Sequence, residues 1–479
     1  MLMSDTALLI DFGSTYTKLR AVDLSAGKIL ASGQGPSTVA SDVTFGLDAA
    51  LADLEKRLGG LPSFRHRLAS SSAAGGLKMV TVGLVKELTA EAARQAALGA
   101  GARLVGAFAY RLTSSDVEEV ISLQPDIILL AGGTDGGNRE VIVYNAEKIA
   151  ASGLACPVVV AGNREAQDDV TALLGGAGMS VSRVGNVMPA FNELDIEPAR
   201  AAIRQIFIDR IVHAKGIDKA ADRMEAVLMP TPAAVMEGAK LLSEGTKESP
   251  GLGPLVVVDI GGATTDVHSV CSGAPSAEGV VQVGLPEPYL KRTVEGDLGM
   301  RHNAATIVED IGADAIAARS GIARDRIGAL LAAIEADVEH LPANDEERAF
   351  DEALAWSAVR LAVARHAGTS KVIHTVHGPA TVQSGKDLGD VKTVVGTGGV
   401  LAHGHAPAGI LAAALADASE PFSLRPRVPA LYVDRDYLLY SVGLLAGVEP
   451  EAAIALARGS LLKADNTGGG HDEPRSETR

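Results

Sequence analysis

The residues best placed to do chemistry fall in two segments of one pattern. Leu8-Leu-Ile-Asp-Phe-Gly-Ser-Thr-Tyr-Thr-Lys18 is a hydrophobic run closed by Asp11 and Gly13, followed by the hydroxyls of Ser14 and Thr15 and then by Lys18. Val256-Val-Val-Asp-Ile-Gly-Gly-Ala-Thr-Thr-Asp-Val267 repeats the order with Asp259, then Gly261, Gly262 and Ala263, then Thr264, Thr265 and Asp266. Each reads as a β-hairpin whose tight turn presents backbone N–H groups to an anion. Glycine there permits positive φ and a close approach of phosphate to the main chain. The hydroxyls add donors. A carboxylate at the strand end can hold Mg²⁺, which keeps its waters and takes only one or two carboxylates from a protein. One Asp-x-Gly after a strand is an ordinary turn, whereas two matched copies point to a nucleotide phosphate. Neither copy is a GxxxxGK[ST] loop or a GxGxxG opening a helix. Lys18 either contacts phosphate or faces solvent from its strand.

A further strand with a glycine-pair loop lies downstream of each copy. The first is Ile127-Ile-Leu-Leu-Ala-Gly-Gly-Thr-Asp135, the second Thr393-Val-Val-Gly-Thr-Gly-Gly399, which contains Gly396, Thr397, Gly398 and Gly399. Their similar offsets suggest two related lobes with a ligand in the cleft between them. Such a loop lets the backbone lie against a planar adenine and its ribose. A bare strand-to-helix turn accounts for the same residues, and Gly132-Gly133 belongs either to the first lobe or to an insertion.

The surrounding pattern supplies the elements that position these residues. Strands and helices alternate from about 75 to 192, which argues a mostly parallel sheet with flanking helices. Thr89 is expected to cap a helix over 90–98, and Ser115-Asp-Val-Glu118 to form a capping box. Thr231-Pro232 reads as a cap followed by proline at the first helical position. Asn344 and Glu347 open a long helix over 345–367. Asp434 and Asp436 read as strand-end caps before a helix over 437–446. The segment 247–254 is a Gly/Pro-rich linker, and 465–479 a polar tail.

Composition excludes several classes. The 479 residues carry 43 Lys+Arg against 59 Asp+Glu, a net charge of −16, so no nucleic-acid surface is expected. Cys156 and Cys271 stand in no CxxC, which fits a reducing, cytoplasmic setting. No apolar run approaches the roughly 20 residues of a membrane span, and the first residues lack the charged start of a signal peptide. The pairs His374/His377 and His403/His405 lack a third ligand at set spacing, so no metal site is read there.

These residues resemble the actin, sugar-kinase and seventy-kilodalton heat-shock ATPase superfamily. Ile10-Asp-Phe-Gly-Ser-Thr-Tyr16 is similar to its first phosphate motif, Asp259-Ile-Gly-Gly-Ala-Thr-Thr-Asp266 to its second, and Val395-Gly-Thr-Gly-Gly399 to its adenosine motif. Ala263 replaces a glycine common in the second motif, and the adenosine motif lacks its usual following proline. Over about 7 to 460 the chain resembles the MutL-type accessory proteins of glutamate (methylaspartate) mutase, which are unrelated to the mismatch-repair protein of that short name. The segments Ser70-Ser-Ser-Ala-Ala-Gly-Gly-Leu-Lys-Met79, Leu129-Leu-Ala-Gly-Gly-Thr-Asp-Gly-Gly137 and Thr293-Val-Glu-Gly-Asp-Leu-Gly-Met300 carry it.

The resemblance implies an α/β fold of two actin-like (ribonuclease H-like) lobes around a nucleotide cleft, with an inserted α/β segment. The expected division is 1–74 for the first part of lobe I, 75–250 for the insert and the helical region that partly completes that lobe, 251–462 for the second lobe, and 463–479 for the tail. It implies ATP and Mg²⁺ as cofactors, with Asp11 and Asp259 as metal carboxylates and Asp266 orienting the attacking water. The implied role is ATP-driven release of damaged cobalamin from an adenosylcobalamin-dependent mutase, through a slow Mg²⁺-dependent ATPase. The nearest match to a cobalamin-binding Asp-x-His-x-x-Gly, Asp266-Val-His-Ser-Val-Cys271, ends in Cys, so no cobalamin is expected on this chain and the mutase subunits would carry it. A homodimer is left open. A small-molecule kinase of the same fold and a non-hydrolysing, nucleotide-switched scaffold are the competing readings.

Overall fold

The computed structural model describes residues 5–13, 16–38, 42–71, 77–214, 228–376 and 378–464. Ser14, Thr15, His377 and the expected tail at 465–479 lie outside them. The hydrophobic runs form two sheets built to one plan. The first contains β1 (Thr6–Phe12), β2 (Tyr16–Asp23), β3 (Lys28–Pro36), β4 (His66–Ser71) and β10 (Leu228–Pro230) in the order β10-β4-β1-β2-β3. The second contains β11 (Leu255–Ile260), β12 (Thr265–Val270), β14 (Leu290–Glu295), β17 (Thr393–Thr397), β18 (Ala430–Asp434) and β19 (Leu461–Lys463) in the order β14-β12-β11-β17-β18-β19. In each, the first strand pairs antiparallel with the second and parallel with the fourth, and a fifth adds parallel beyond it. The chain is thus an α/β protein of two actin-like (ribonuclease H-like) lobes.

Strand parity decides where the two aspartates point. Leu8, Ile10 and Phe12 enter the core of the first lobe, and Val256, Val258 and Ile260 that of the second. Ala7 and Leu9 share a third core with Leu255 and Val257, between the lobes. Side chains alternate faces along a strand, so Asp11 and Asp259 continue the interlobe face just where its apolar part ends. Two helices complete that interlobe core. Thr231–Glu244 follows β10, and Leu439–Ala446 follows β18. They cross with main chains in contact, since a Cβ on Gly443 would lie 1.7 Å from the Ala234 carbonyl oxygen.

An all-parallel sheet is inserted between β4 and β10. Its strands are β5 (Lys78–Gly83), β6 (Arg103–Ala109), β7 (Ile127–Leu130), β8 (Val158–Val160) and β9 (Val181–Arg183), in the order β6-β5-β7-β8-β9. Met79, Ile127 and Leu129 join the core of the first lobe, while Val80, Ile128 and Leu130 pack under the insert's own helices. Gly132-Gly133 therefore closes β7 of the insert. The strand equivalent to β17 is β4, so the two glycine-pair loops are not counterparts, although the two-lobe conclusion drawn from them stands. The cause of the Gly133 requirement is local: its φ is 72°, and a Cβ there would meet the Asn138 carbonyl oxygen at 2.0 Å.

Three caps differ from expectation. Thr89 lies inside a π-turn, Lys86–Ala90, where its hydroxyl accepts the Leu84 and Val85 amides instead of capping Glu91–Gly99. The capping box sits two residues upstream of Ser115, as Thr113 with Asp116. Pro230 is the residue before the helix Thr231–Glu244, and the Thr231 hydroxyl is used elsewhere. Asn344 caps its helix as expected. A small sheet of β13 (Val281–Val283), β15 (Thr369–Thr375) and β16 (Gly378–Ser384) was not foreseen. Its largely exposed strands lack the apolar runs that mark the others.

Candidate functional site

The two hairpins close alike. The Gly13 amide donates to the Tyr16 carbonyl at 3.0 Å, and the Gly261 amide to the Thr264 carbonyl at 2.9 Å. Their registers place Asp11 opposite Lys18 and Asp259 opposite Asp266. Asp11 is buried and accepts hydrogen bonds from the hydroxyls of Thr231 (2.7 Å) and Ser70 (3.2 Å). Burial raises its pKa, and Thr231, Lys18 and Ser70 work against the rise. Asp259 accepts no hydrogen bond among the described residues. Desolvation first, then the charges of Asp266 and Asp434, push its pKa up to about 7.

The cleft between the lobes holds a cavity of about 560 Å³. Lys18, Arg20 and Gln34 of the β2–β3 hairpin form one wall. Gly261 and Gly262 after β11, with Gly398 and Gly399 after β17, form the other. Tyr437 lies on the same lining, with the Lys18 ammonium 5.0 Å from its ring centroid. Gly398 has φ 107° and packs against the end of β11, where a Cβ would come 2.2 Å from the Ile260 carbonyl oxygen, whereas Gly399 has open space before it.

The remaining sequence-predicted residues divide in two. Thr264 is half-buried beside the exposed Gly262 and Ala263. Thr265 is buried and donates its hydroxyl to the Leu298 carbonyl (2.7 Å). Thr397 is buried and donates to Asp434 (3.3 Å). Gly396 makes room for the side chains of Leu401 and Leu411. The last three therefore build the walls from behind. Asp266 is paired with Arg292 at 2.9 Å, and its second oxygen is buried without a partner. Asp434 acts as the expected cap, accepting the Leu438 and Leu439 amides at 2.7 and 2.9 Å.

Other contributors escaped the sequence reading. The turn 261–263 is braced by the segment 299–303. Met300 donates its amide to the Gly261 carbonyl, and Arg301 and His302 donate theirs to the Gly262 carbonyl. Gly299 lies directly against Ala263, where a Cβ would meet the Ala263 carbonyl carbon at 2.3 Å. Thr231 reaches Asp11 across a sequence gap no local rule bridges. Parity was the available signal for Arg20, since it stands opposite Leu9 on the interlobe face.

A resident metal can be tested against these groups. No cluster of three or more His, Cys, Asp or Glu suited to a metal occurs among the described residues. An all-protein cage is therefore not built. What the desolvated, unpartnered carboxylate of Asp259 fits is a hard cation that draws its other ligands from water and phosphate.

Fold and cleft together define a two-lobed actin-like protein with paired Asp-ended hairpins. The model of the MutL protein family matches residues 7–461. Protein MutL of Clostridium tetanomorphum is 47% identical over 463 residues, 96% of this chain and 100% of that protein. The chain belongs to the MutL family, the one its sequence segments resemble. Among solved structures, it is similar to Plasmodium falciparum glycerol kinase with ADP, at 11% identity and TM-score 0.37 over 96% of this chain and 93% of that one. Xylulose kinase from Bifidobacterium adolescentis gives 13% identity and TM-score 0.34 over 95% and 93%. No helix among the described residues is long and apolar enough to cross a membrane.

Proposed function

We propose that the interlobe cleft binds ATP with Mg²⁺ and that the chain is an ATP-dependent reactivating accessory protein of an adenosylcobalamin-dependent mutase of the glutamate mutase type. The observation that carries this reading is the convergence of two like hairpins, through strand parity, on one cavity. The amides and hydroxyls of Ser14, Thr15, Gly261, Gly262 and Thr264 would cradle phosphates, and Gly398 and Gly399 would lie along the nucleoside. Asp259 and Asp11 would hold the Mg²⁺, whose charge would screen the phosphates. Chemistry of this kind rests on positioning and electrostatics rather than on a covalent intermediate. Lobe closure over the nucleotide would alter the grip on the mutase subunits, which carry the cobalamin.

The test is to incubate the protein with an inactivated mutase, ATP, Mg²⁺ and fresh cofactor, and to follow recovered activity and released phosphate. Recovery that needs ATP supports the proposal. Consumption of ATP only with an added small-molecule acceptor would replace it with a kinase. One observation favours a second reading, the nucleotide-switched scaffold. Asp266, the residue expected to orient water, is held by Arg292. Tight ATP binding with no phosphate release, even with mutase present, is the outcome that reading requires.

A further inference from the structure

Four described residues other than glycine have positive φ: Tyr110, Gln124, Asn192 and Tyr437. The first three lie between β6 and β10. Tyr437, at φ 56°, stands on the lining of the interlobe cavity. A bulky aromatic side chain in the left-handed region is strained, and glycine or asparagine is the usual occupant.

The surroundings impose this conformation. The Tyr437 amide donates to the Asp434 carbonyl at 3.2 Å. The Asp434 carboxylate fixes the next two amides and accepts the hydroxyls of Ser460 and Thr397. The turn is thus locked from both sides of the tyrosine, and a ring is carried where a glycine would relieve the backbone.

What the ring gains is position. Its face receives the Lys18 ammonium from the opposite lobe, and Tyr440 packs 6.3 Å away between centroids. The Asp259 carboxylate, then burial, then the Asp11 carboxylate hold its phenol well above the usual tyrosine range, so the proton stays on the oxygen. A terminal phosphate entering between two carboxylates meets repulsion. Among the lining groups able to donate to it are the Lys18 ammonium and the Tyr437 O–H, beside Arg20 on the same wall.

The geometry points to Tyr437 as a substrate-contacting residue whose ring steadies Lys18 and whose hydroxyl donates to the terminal phosphate of a bound nucleoside triphosphate. This assignment rests on the cleft being the ATP site. Titration calorimetry of full-length wild type, Y437F and Y437G with ATP·Mg²⁺ and ADP·Mg²⁺ tests it, alongside thermal unfolding without nucleotide. Y437F should weaken ATP about threefold to tenfold and leave ADP within about twofold. Y437G should weaken ATP tenfold or more; because it also removes a ring that packs against the interlobe core, thermal unfolding serves to show that it is folded at the assay temperature. An unaltered ATP-to-ADP preference in Y437F overturns the assignment. So does a Y437G protein that is folded at the assay temperature and binds ATP as tightly as wild type. Wild type that binds neither nucleotide overturns the reading of the cleft and the assignment with it.

Discussion

The two hairpins have the same backbone and opposite electrostatics. In the first lobe Asp11 faces Lys18 across the hairpin and is satisfied by two hydroxyls. In the second, Asp259 faces another aspartate, which Arg292 holds from the far side, and accepts no hydrogen bond among the described residues. Two copies of one turn have thus diverged in duty. The first aspartate fastens its lobe together, reaching Ser70 of β4 and Thr231 at the start of the interlobe helix. The second, half-buried just before the lining residues Ile260 and Gly261, has no hydrogen-bond partner among the described residues, a costly state for a carboxylate unless a cation completes it.

Removing a partner on each side is the strongest way to break this contrast. Arg292→Ala would strand Asp266 as a buried, unpaired charge and should cost about 3–5 kcal/mol by chemical denaturation. Lys18→Ala, at a half-buried position, should cost about 1 kcal/mol or less. Equal losses would show the two hairpins to be electrostatically alike after all. Next in size is Asp11→Ala, which removes the one carboxylate oxygen that accepts both the Thr231 and the Ser70 hydroxyl and should destabilise by about 1–3 kcal/mol in the same assay. Asp259→Ala should leave the fold standing and lower Mg²⁺-dependent ATP turnover by roughly tenfold or more. Unchanged turnover would remove the second hairpin from the chemistry.

The smallest effect concerns pH. The Asp259 carboxyl is raised from an ordinary 3.8 to about 7, so ionising it works against the folded state. Its contribution to stability is full below about pH 4 and is lost as pH rises through about 7. Thermal unfolding of Asp259→Asn without metal should lack that loss and give a midpoint a few degrees above wild type at pH 8. Mg²⁺ should narrow the gap by stabilising the ionised wild-type carboxylate. A midpoint below wild type at pH 8 would mean that Asp259 is satisfied after all.

Much of the fold was legible because buried strands announce themselves. The runs at 8–10 and 255–258 are apolar, and both end at Asp-x-Gly, so the paired hairpins could be read directly. Their convergence was legible too, since Leu9 to Asp11 and Val257 to Asp259 each keep the same parity. What was hidden depends on distant contacts. Thr231 looks like a helix cap, and only the folded chain shows its hydroxyl spent on Asp11. Tyr437 could not be found, because its residue type argues against the backbone it adopts. The glycine pair at 132–133 misled, because a turn crowded by its own chain and a turn opened for a ligand need the same residue. Thr265 and Thr397 carry motif-like hydroxyls, yet one serves Leu298 and the other Asp434.

The place at which the parallel sheet enters the chain also bears on how the protein is made. β4 ends at Ser71, and the strand that pairs beside it, β10, begins at Leu228. During synthesis the first lobe must wait with one sheet edge unfinished until that later strand has left the ribosome. The intervening sheet is all parallel and packs one face into the core of that same lobe, so the two complete each other late. The order of maturation is therefore not the order of reading. The beginning of the chain is sealed only by the short strand Leu228–Pro230, and the cleft exists only once the second lobe has followed.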